Sequence, residues 1–157
     1  MKQGYTITLE RGDLNHSEMH PIYVQHYGEM QSRLLQDGIT IGDYNPRLPQ
    51  YIAAWQGGWL LNYIVRFNGV AVGYGNVYLT NDMHNSELIA QEDAIYLVPE
   101  HRNGMGKTLV KFILADLTER GVVRVNITPA TDLRVAKIWK RMGFKETATV
   151  LTYHLKE

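Results

Sequence analysis

Residues 91–121 read QEDAIYLVPEHRNGMGKTLVKFILADLTERG, and they parse as strand, glycine loop, helix. The run 94–98 (AIYLV) is apolar, long enough for a buried strand and too short for a helix, and Pro99 stops it. Arg102-Asn103-Gly104-Met105-Gly106 cannot continue either regular structure, and its two glycines reach backbone angles closed to other residues. After Gly106, apolar residues recur at helical spacing (Leu109, Val110, Ile113, Leu114, Leu117). Gly121, following Glu119-Arg120, marks the stop. A helix opened by a glycine loop leaves several amide N–H groups without helical partners, at the positive end of its dipole. Such a loop is an anion site suited to phosphate.

Working outward, residues 122–128 form a second apolar run stopped by Pro129. A helix separates it from 94–98, so the two strands are expected to lie parallel and adjacent. A helix is expected over 131–142, with Thr131 or Asp132 as N-cap and Gly143-Phe144 as its close. Residues 147–155 alternate and are expected to form a last strand. Upstream, 59–67 and 70–79 are β-rich runs joined by Asn68-Gly69, a strong hairpin signal. Gly73 and Gly75 in the second run point to a bulge or a close backbone approach. Residues 5–9 alternate as a first strand. Residues 13–36 have a helical pattern, with Pro21 near the first turn and Asp37-Gly38 as the stop. Its polar and aromatic residues (His20, Tyr23, His26, Tyr27, Met30) suit a half-exposed helix with tyrosines on its rim, or a wall of a substrate pocket. A loop over 39–49 and a short helix over 50–56 complete the chain.

At 157 residues the chain reads as one domain, 1–157, large enough for a real core. Lys plus Arg equals Asp plus Glu, so the net charge is zero, which argues against an extended nucleic-acid surface. The sequence has no cysteine, hence no disulfide, thiolate metal site or cysteine nucleophile. The six histidines show no ligand spacing, and no metal site is read. Residues 1–20 lack an apolar block and no run reaches membrane-spanning length, so the expected location is the cytoplasm.

Two families put chemistry on such a loop. GMGKT looks like the end of a P-loop NTPase motif, but that motif needs a glycine where His101 stands. The chain better resembles the Gcn5-related N-acetyltransferases. Their mark is a strand, often a proline, then Arg/Gln-x-x-Gly-x-Gly/Ala opening a helix. The order of elements matches that family over nearly the whole chain. The resemblance implies an α/β (α+β) fold: a mixed, mostly antiparallel sheet flanked by helices, with two central parallel strands splayed at their C-terminal ends. It implies acetyl-CoA as acyl donor, its pantetheine arm lying in the splay against the backbone of Ile95, Tyr96 and Leu97. Arg102, Asn103, Gly104, Met105, Gly106 and Lys107 would hold its phosphates. The family's Arg/Gln position is occupied by His101, and Arg102 comes one place late.

A second family signature, Asn-x-x-Ala-x-x-x-Tyr-x-x-x-Gly-Phe, aligns on Gly143-Phe144. Asp132 then takes the Asn position, Val135 the Ala position and Trp139 the Tyr position, and both Asp132 and Trp139 would lie near the donor. The family's tyrosine protonates the departing thiolate. Trp139 cannot, and its spacing with Val135, Ile138 and Met142 also fits plain core. Tyr96 and Tyr153 are alternative acids among ten tyrosines. Glu92 and Asp93, on or near the strand before the loop, are the candidate general bases. Adjacent strand residues point to opposite faces, so at most one should serve. The expected activity is acetyl transfer to a primary amine of a small molecule or protein, by direct attack in a ternary complex. The alternative is a non-catalytic acyl-CoA-binding or structural module. No membrane partner is expected, and a homodimer is compatible with the sequence.

Overall fold

The computed structural model describes residues 1–129 and 134–155. Thr131 and Asp132, expected to cap a helix, lie outside the described residues. The chain divides into two compact units, one of residues 1–24 with 46–128, the other of residues 25–45 with the described residues from Pro129 on.

The first unit holds a five-stranded sheet in chain order, β1 (Tyr5–Glu10), β2 (Leu60–Phe67), β3 (Val70–Asn81), β4 (Leu88–Leu97) and β5 (Arg124–Asn126). The first four strands run antiparallel, and β4 pairs with β5 in parallel. Helix α1 (Gly12–Leu35) starts in this unit, α2 (Leu48–Gln56) follows, and α3 (Met105–Glu119) connects β4 to β5. Asn68 and Gly69 form the β2–β3 turn with φ of 48° and 84°. Both central residues are left-handed, as the tight hairpin requires.

β2 is buried along most of its length because both sheet faces are covered. Leu61, Tyr63 and Val65 join Met105, Leu109, Ile113 and Leu117 of α3 in the larger core. Ile64 faces the other way, with Tyr74, Tyr96 and, from α1, Met19 and Ile22. On that second face Asn62 donates to Asn76 Oδ1 at 2.8 Å, and Trp55 Nε1 of α2 donates to the same oxygen at 3.3 Å. These buried amides are satisfied by one another, as burial demands.

β4 is the strand that departs most from its expected form. It is twice as long as the apolar run 94–98 suggests, because residues 88–93 before that run also pair with β3. It also carries a bulge. Asn76 is opposite Ala94 and Val77 is opposite Glu92, which leaves Asp93 as an extra residue. Ala90, Ile95 and Leu97 all pack into the α3-side core. An odd spacing from 90 to 95 places both on one face only because Asp93 shifts the alternation by one.

Gly73 and Gly75 mark close approaches. A Cβ at Gly73 would lie 2.4 Å from Leu97 Cδ2 and 2.7 Å from the Tyr96 carbonyl oxygen. Gly73→Ala is therefore expected to lower stability by about 1–3 kcal/mol, as overpacked cores do. Urea unfolding should show a lower midpoint at unchanged m-value.

Two further expectations need correction. Pro21 lies inside α1, not near its first turn, because the helix already begins at Gly12. The helix continues through it at the cost of one backbone hydrogen bond. In the second unit α4 spans Val135–Arg141; of the helix expected over 131–142, residues 131–133 lie outside the described residues. Residues 147–155 form no strand, and Val150, Leu151, Tyr153 and Leu155 are exposed. Alternation specifies a strand only where a sheet edge receives it.

The second unit also contains the C-terminal part of α1, whose Arg33 pairs with Asp37 at 2.8 Å. Tyr27 donates to the Gly42 carbonyl and packs on Tyr44 with ring centroids 5.5 Å apart. Gly143 takes a φ of 104° after α4, and the Phe144 N–H returns to the Trp139 carbonyl at 3.1 Å. Trp139 is buried and packs near Phe144, while Ile138 is exposed.

Candidate functional site

The loop between β4 and α3 is anchored at both ends. Pro99–His101 forms a single 3-10 turn, and Gly104, the N-cap of α3, has a φ of 95°. That angle suits glycine, which has no side chain to cap the helix, and no side-chain cap bond is made. The first amides of α3 face outward from a point where a Cβ at Gly104 would meet nothing within 4 Å. At Gly106 the nearest atom to a Cβ would be Leu97 Cδ1, at 3.7 Å. Met105, between the two glycines, is buried and fixes the loop to the core. Open space in front of outward N–H groups at a helix N-terminus fits a phosphate.

Side chains of the N-terminal segment hold this loop from behind. The Tyr5 hydroxyl shares a hydrogen bond with His101 Nδ1 at 2.6 Å and accepts from Asn103 Nδ2 at 3.2 Å. Lys2 Nζ donates to the Asn103 carbonyl. Tyr5 also packs on Phe67 with centroids 4.7 Å apart. His101, the residue in the expected Arg/Gln position, is thus tied to β1. Arg102 turns back over β4: its Nε donates to the Leu97 carbonyl at 2.8 Å, and its guanidinium lies 5.1 Å from the centre of the Tyr96 ring. Lys107 lies in the first turn of α3.

β4 and β5 pair only at Ile89–Arg124, Ala90–Val125 and Gln91–Asn126, and then part. Glu92 is the first residue beyond the ladder. Its Oε2 accepts the Thr128 N–H, from the segment just past β5, at 2.9 Å. Burial pushes this carboxyl up to about 7, with the neighbouring charge of Asp93 adding to the rise and the N–H groups of Thr128 and Ile95 opposing it. Asp93 goes elsewhere. Its Oδ2 accepts the Tyr51 hydroxyl of α2 at 2.9 Å, and burial of the carboxyl raises its pKa as well, against that bond. The two adjacent carboxylates diverge, as strand geometry requires. Tyr96 is buried between Arg102 and Tyr74, its ring centroid 6.4 Å from that of Tyr74.

The structure thus brings Glu92, Asp93, Ile95, Tyr96, Leu97 and the loop 102–107 into one unit. Trp139 belongs to the other unit, and Asp132 is outside the described residues. Tyr51 and Tyr5 could not be found from the sequence, since one reaches this region from α2 and the other from β1, neither through a local motif. Among the described residues no helix is long and apolar enough to cross a membrane.

A family model described as the acetyltransferase (GNAT) family matches residues 28–144. No curated protein sequence matches the chain. Among solved structures the chain is similar to a ribosomal-protein-alanine N-acetyltransferase from Brucella melitensis biovar Abortus 2308. That likeness has a TM-score of 0.75 at 15% identity, covering 98% of this chain and 99% of that one. It is similar to an aminoglycoside acetyltransferase from an uncultured soil metagenomic sample, with a TM-score of 0.73 at 11% identity over 99% and 100% of the two chains. A predicted acetyltransferase with acetyl-CoA from Clostridium acetobutylicum matches with a TM-score of 0.66 at 13% identity over 96% of each chain. At these identities the likeness is one of fold.

Proposed function

The chain belongs to the acetyltransferase (GNAT) family, and from that premise we propose that it moves an acetyl group from acetyl-CoA to a primary amine by direct attack in a ternary complex. The observation that carries this reading is Glu92, a carboxyl tuned to about 7 at the point where β4 and β5 part. A base near neutrality is half ionised at working pH and still takes a proton well. Acetyl-CoA supplies an activated acyl carbon as its thioester when bound.

The residues present fit that donor. The α3 amides from Met105 to Lys107 would take its phosphates, in the open space before Gly104. The β4 edge beyond Gln91 would take its extended arm as an added strand. The Val98 N–H bonds to Val72 of β3, so by alternation Tyr96 turns its backbone groups to β3 and Ile95 and Leu97 turn theirs to the open edge; with the Leu97 carbonyl engaged by Arg102, that edge offers mainly Ile95 and the Leu97 N–H. Glu92 would draw the proton from the incoming ammonium, and a β4 N–H would face the carbonyl oxygen as charge develops there. A thiol of ordinary pKa, ~8.5, leaves as thiolate at modest cost, so no dedicated acid is required. Tyr96, buried under Arg102, then serves as a wall of the site.

Trp139 supports a second reading, a non-catalytic acyl-CoA-binding module, because its indole has no acidic proton to give. The test begins with thermal unfolding. Acetyl-CoA at about 100 times its dissociation constant should add roughly 2.7 kcal/mol of stability, and ATP with Mg²⁺ should add none. Free-thiol release with a panel of amines then separates enzyme from binding module. Stabilisation by ATP alone would reject both readings.

A further inference from the structure

Two kinds of bond hold the connection from β4 to α3. Its first half is tied by backbone: the His101 N–H donates to the Val98 carbonyl at 3.0 Å, and the Arg102 N–H to the Pro99 carbonyl at 3.2 Å. Its last residue already belongs to the helix, because the Gly104 carbonyl accepts the Thr108 N–H at 3.3 Å. Asn103 lies between, and two side chains from residues 2–5 reach it. Its Nδ2 donates to the Tyr5 hydroxyl at 3.2 Å, and its carbonyl accepts from Lys2 Nζ. Gly104 follows at once, with the left-handed φ that opens α3. A group that fixes Asn103 therefore also fixes where the first amides of α3 point.

Tyr5 is well placed for that task. With Asn103 donating to it, its hydroxyl has its own proton to give His101 Nδ1, 2.6 Å away. One oxygen thus ties residues on both sides of Arg102. The Tyr5 ring packs on Phe67, and His101 lies against both rings, with centroids 5.7 Å from Tyr5 and 5.1 Å from Phe67. Residues 2–5 are themselves folded into a turn, in which the Tyr5 N–H returns to the Lys2 carbonyl at 3.3 Å and the Gly4 carbonyl accepts the Asn68 N–H at 2.8 Å. Gly4 has a φ of 85°, and a Cβ there would lie 2.8 Å from Asn68 Oδ1 and 2.9 Å from Phe67 Cε2. A side chain would push this turn off the β2–β3 hairpin, so glycine is needed for the close approach.

We infer that Tyr5 and Lys2 are positioning residues for the acyl donor: they clasp Asn103 and hold the entrance of α3 in the form that receives phosphate. The inference rests on the acetyl-transfer reading for the identity of the donor. It adds that part of the donor affinity is set by side chains outside the loop, acting through His101 and Asn103. A loop with two glycines has many conformations to lose when a ligand orders it. Ordering it beforehand removes that cost from the binding step. Arg102 cannot supply the order, since its own side chain is turned back to the Leu97 carbonyl.

The experiment titrates CoA, which binds without reacting, into the full chain by calorimetry, and measures kcat and KM for acetyl-CoA by thiol release. Tyr5→Phe keeps the ring on Phe67 and removes only the oxygen. It should weaken CoA binding by about tenfold, the scale of lost hydrogen bonds. The KM for acetyl-CoA should rise by the same factor, with kcat at saturating donor changed by less than about twofold. Lys2→Ala should give a smaller loss, about threefold, that Lys2→Arg restores. Tyr5→Phe combined with Asn103→Ala should lose little more than either alone, because both break one bond. Lys2 and Asn103 are exposed, so their variants read the clasp even if circular dichroism shows that Tyr5→Phe misfolds. Tyr63→Phe is the control for a general loss of stability. It removes a hydroxyl that donates to Asp116, near the far end of α3, at 2.6 Å. It should lower the unfolding midpoint while changing CoA affinity by less than about twofold. Unchanged CoA binding in Tyr5→Phe and Lys2→Ala, or an equal loss in Tyr63→Phe, overturns the inference and leaves acetyl transfer standing. CoA binding that depends on Tyr5, with no thiol release from any amine, keeps the clasp and rejects the transfer reading. A wild type that does not bind CoA overturns both.

Discussion

Gly104→Val is expected to weaken acetyl-CoA binding by more than about 100-fold, or roughly 2.8 kcal/mol at ~1.4 kcal/mol per tenfold. Two effects add. The residue sits at a φ of 95°, where a side chain costs about 1–2 kcal/mol and a β-branched one is worst placed. The added methyls would also project into the open space that the loop keeps in front of its amides. Strain alone would lower stability without touching the bound state selectively, so a second variant separates the terms. Asn tolerates the left-handed region, and Gly104→Asn should recover most of the stability while still binding poorly. Lys107→Ala should weaken binding by less than about tenfold, because the amides do most of the holding. Calorimetric titration of all three gives the comparison. A wild-type dissociation constant for Gly104→Val would move the phosphate site off this loop.

Glu92→Gln is expected to lower kcat by about 10²–10⁴-fold, the range of a lost general base. In the wild type kcat/KM should rise with pH through about 7, since the ionised carboxylate is the active form. In the variant that inflection should vanish. The same group has a signature in stability. Its pKa is raised from the ordinary 4.5 to about 7 in the folded protein. Between those values the folded state retains a proton that the unfolded state has released. Its contribution to stability is therefore full below pH 4.5 and lost as pH rises through 7. Glu92→Gln should flatten that decline and leave the protein more stable than wild type at pH 8, by something on the order of 1 kcal/mol. Such a gain at the expense of turnover is usual for a functional group held in an unfavourable setting. An unchanged pH–rate profile in Glu92→Gln would sink the assignment.

The local parts of this fold are legible in the sequence. Asn68-Gly69 announces its hairpin because the turn depends on two adjacent residues with positive φ. The loop from Arg102 to Gly106 announces its helix because capping depends on the residues that immediately precede it. What depends on distant partners is not legible. The first part of β4, residues 88–93, is not marked as strand by the run 94–98 and joins it only because β3 pairs with it. The alternation of 147–155 reads as strand although no edge receives it. Glu92 and Asp93 are visible as adjacent acids, but the Thr128 N–H and the Tyr51 hydroxyl that tell them apart arrive from the segment just past β5 and from α2. The tie of His101 to Tyr5 spans 96 positions and leaves no trace in either neighbourhood.

The bulge at Asp93 sets different rules for replacing that residue and for removing it. A substitution at 93 keeps the bulge and with it the register of the strand. Its presence is not free. Without it, Ala90 and Glu92 would fall out of step with Ile95 and Leu97, and one end of the strand would turn its core side chains to the opposite face of the sheet. The number of residues from Ala90 to Leu97 is thus the heritable quantity here. A substitution at this position leaves the register intact, whereas a one-residue deletion would shift every residue before it to the opposite face of the sheet.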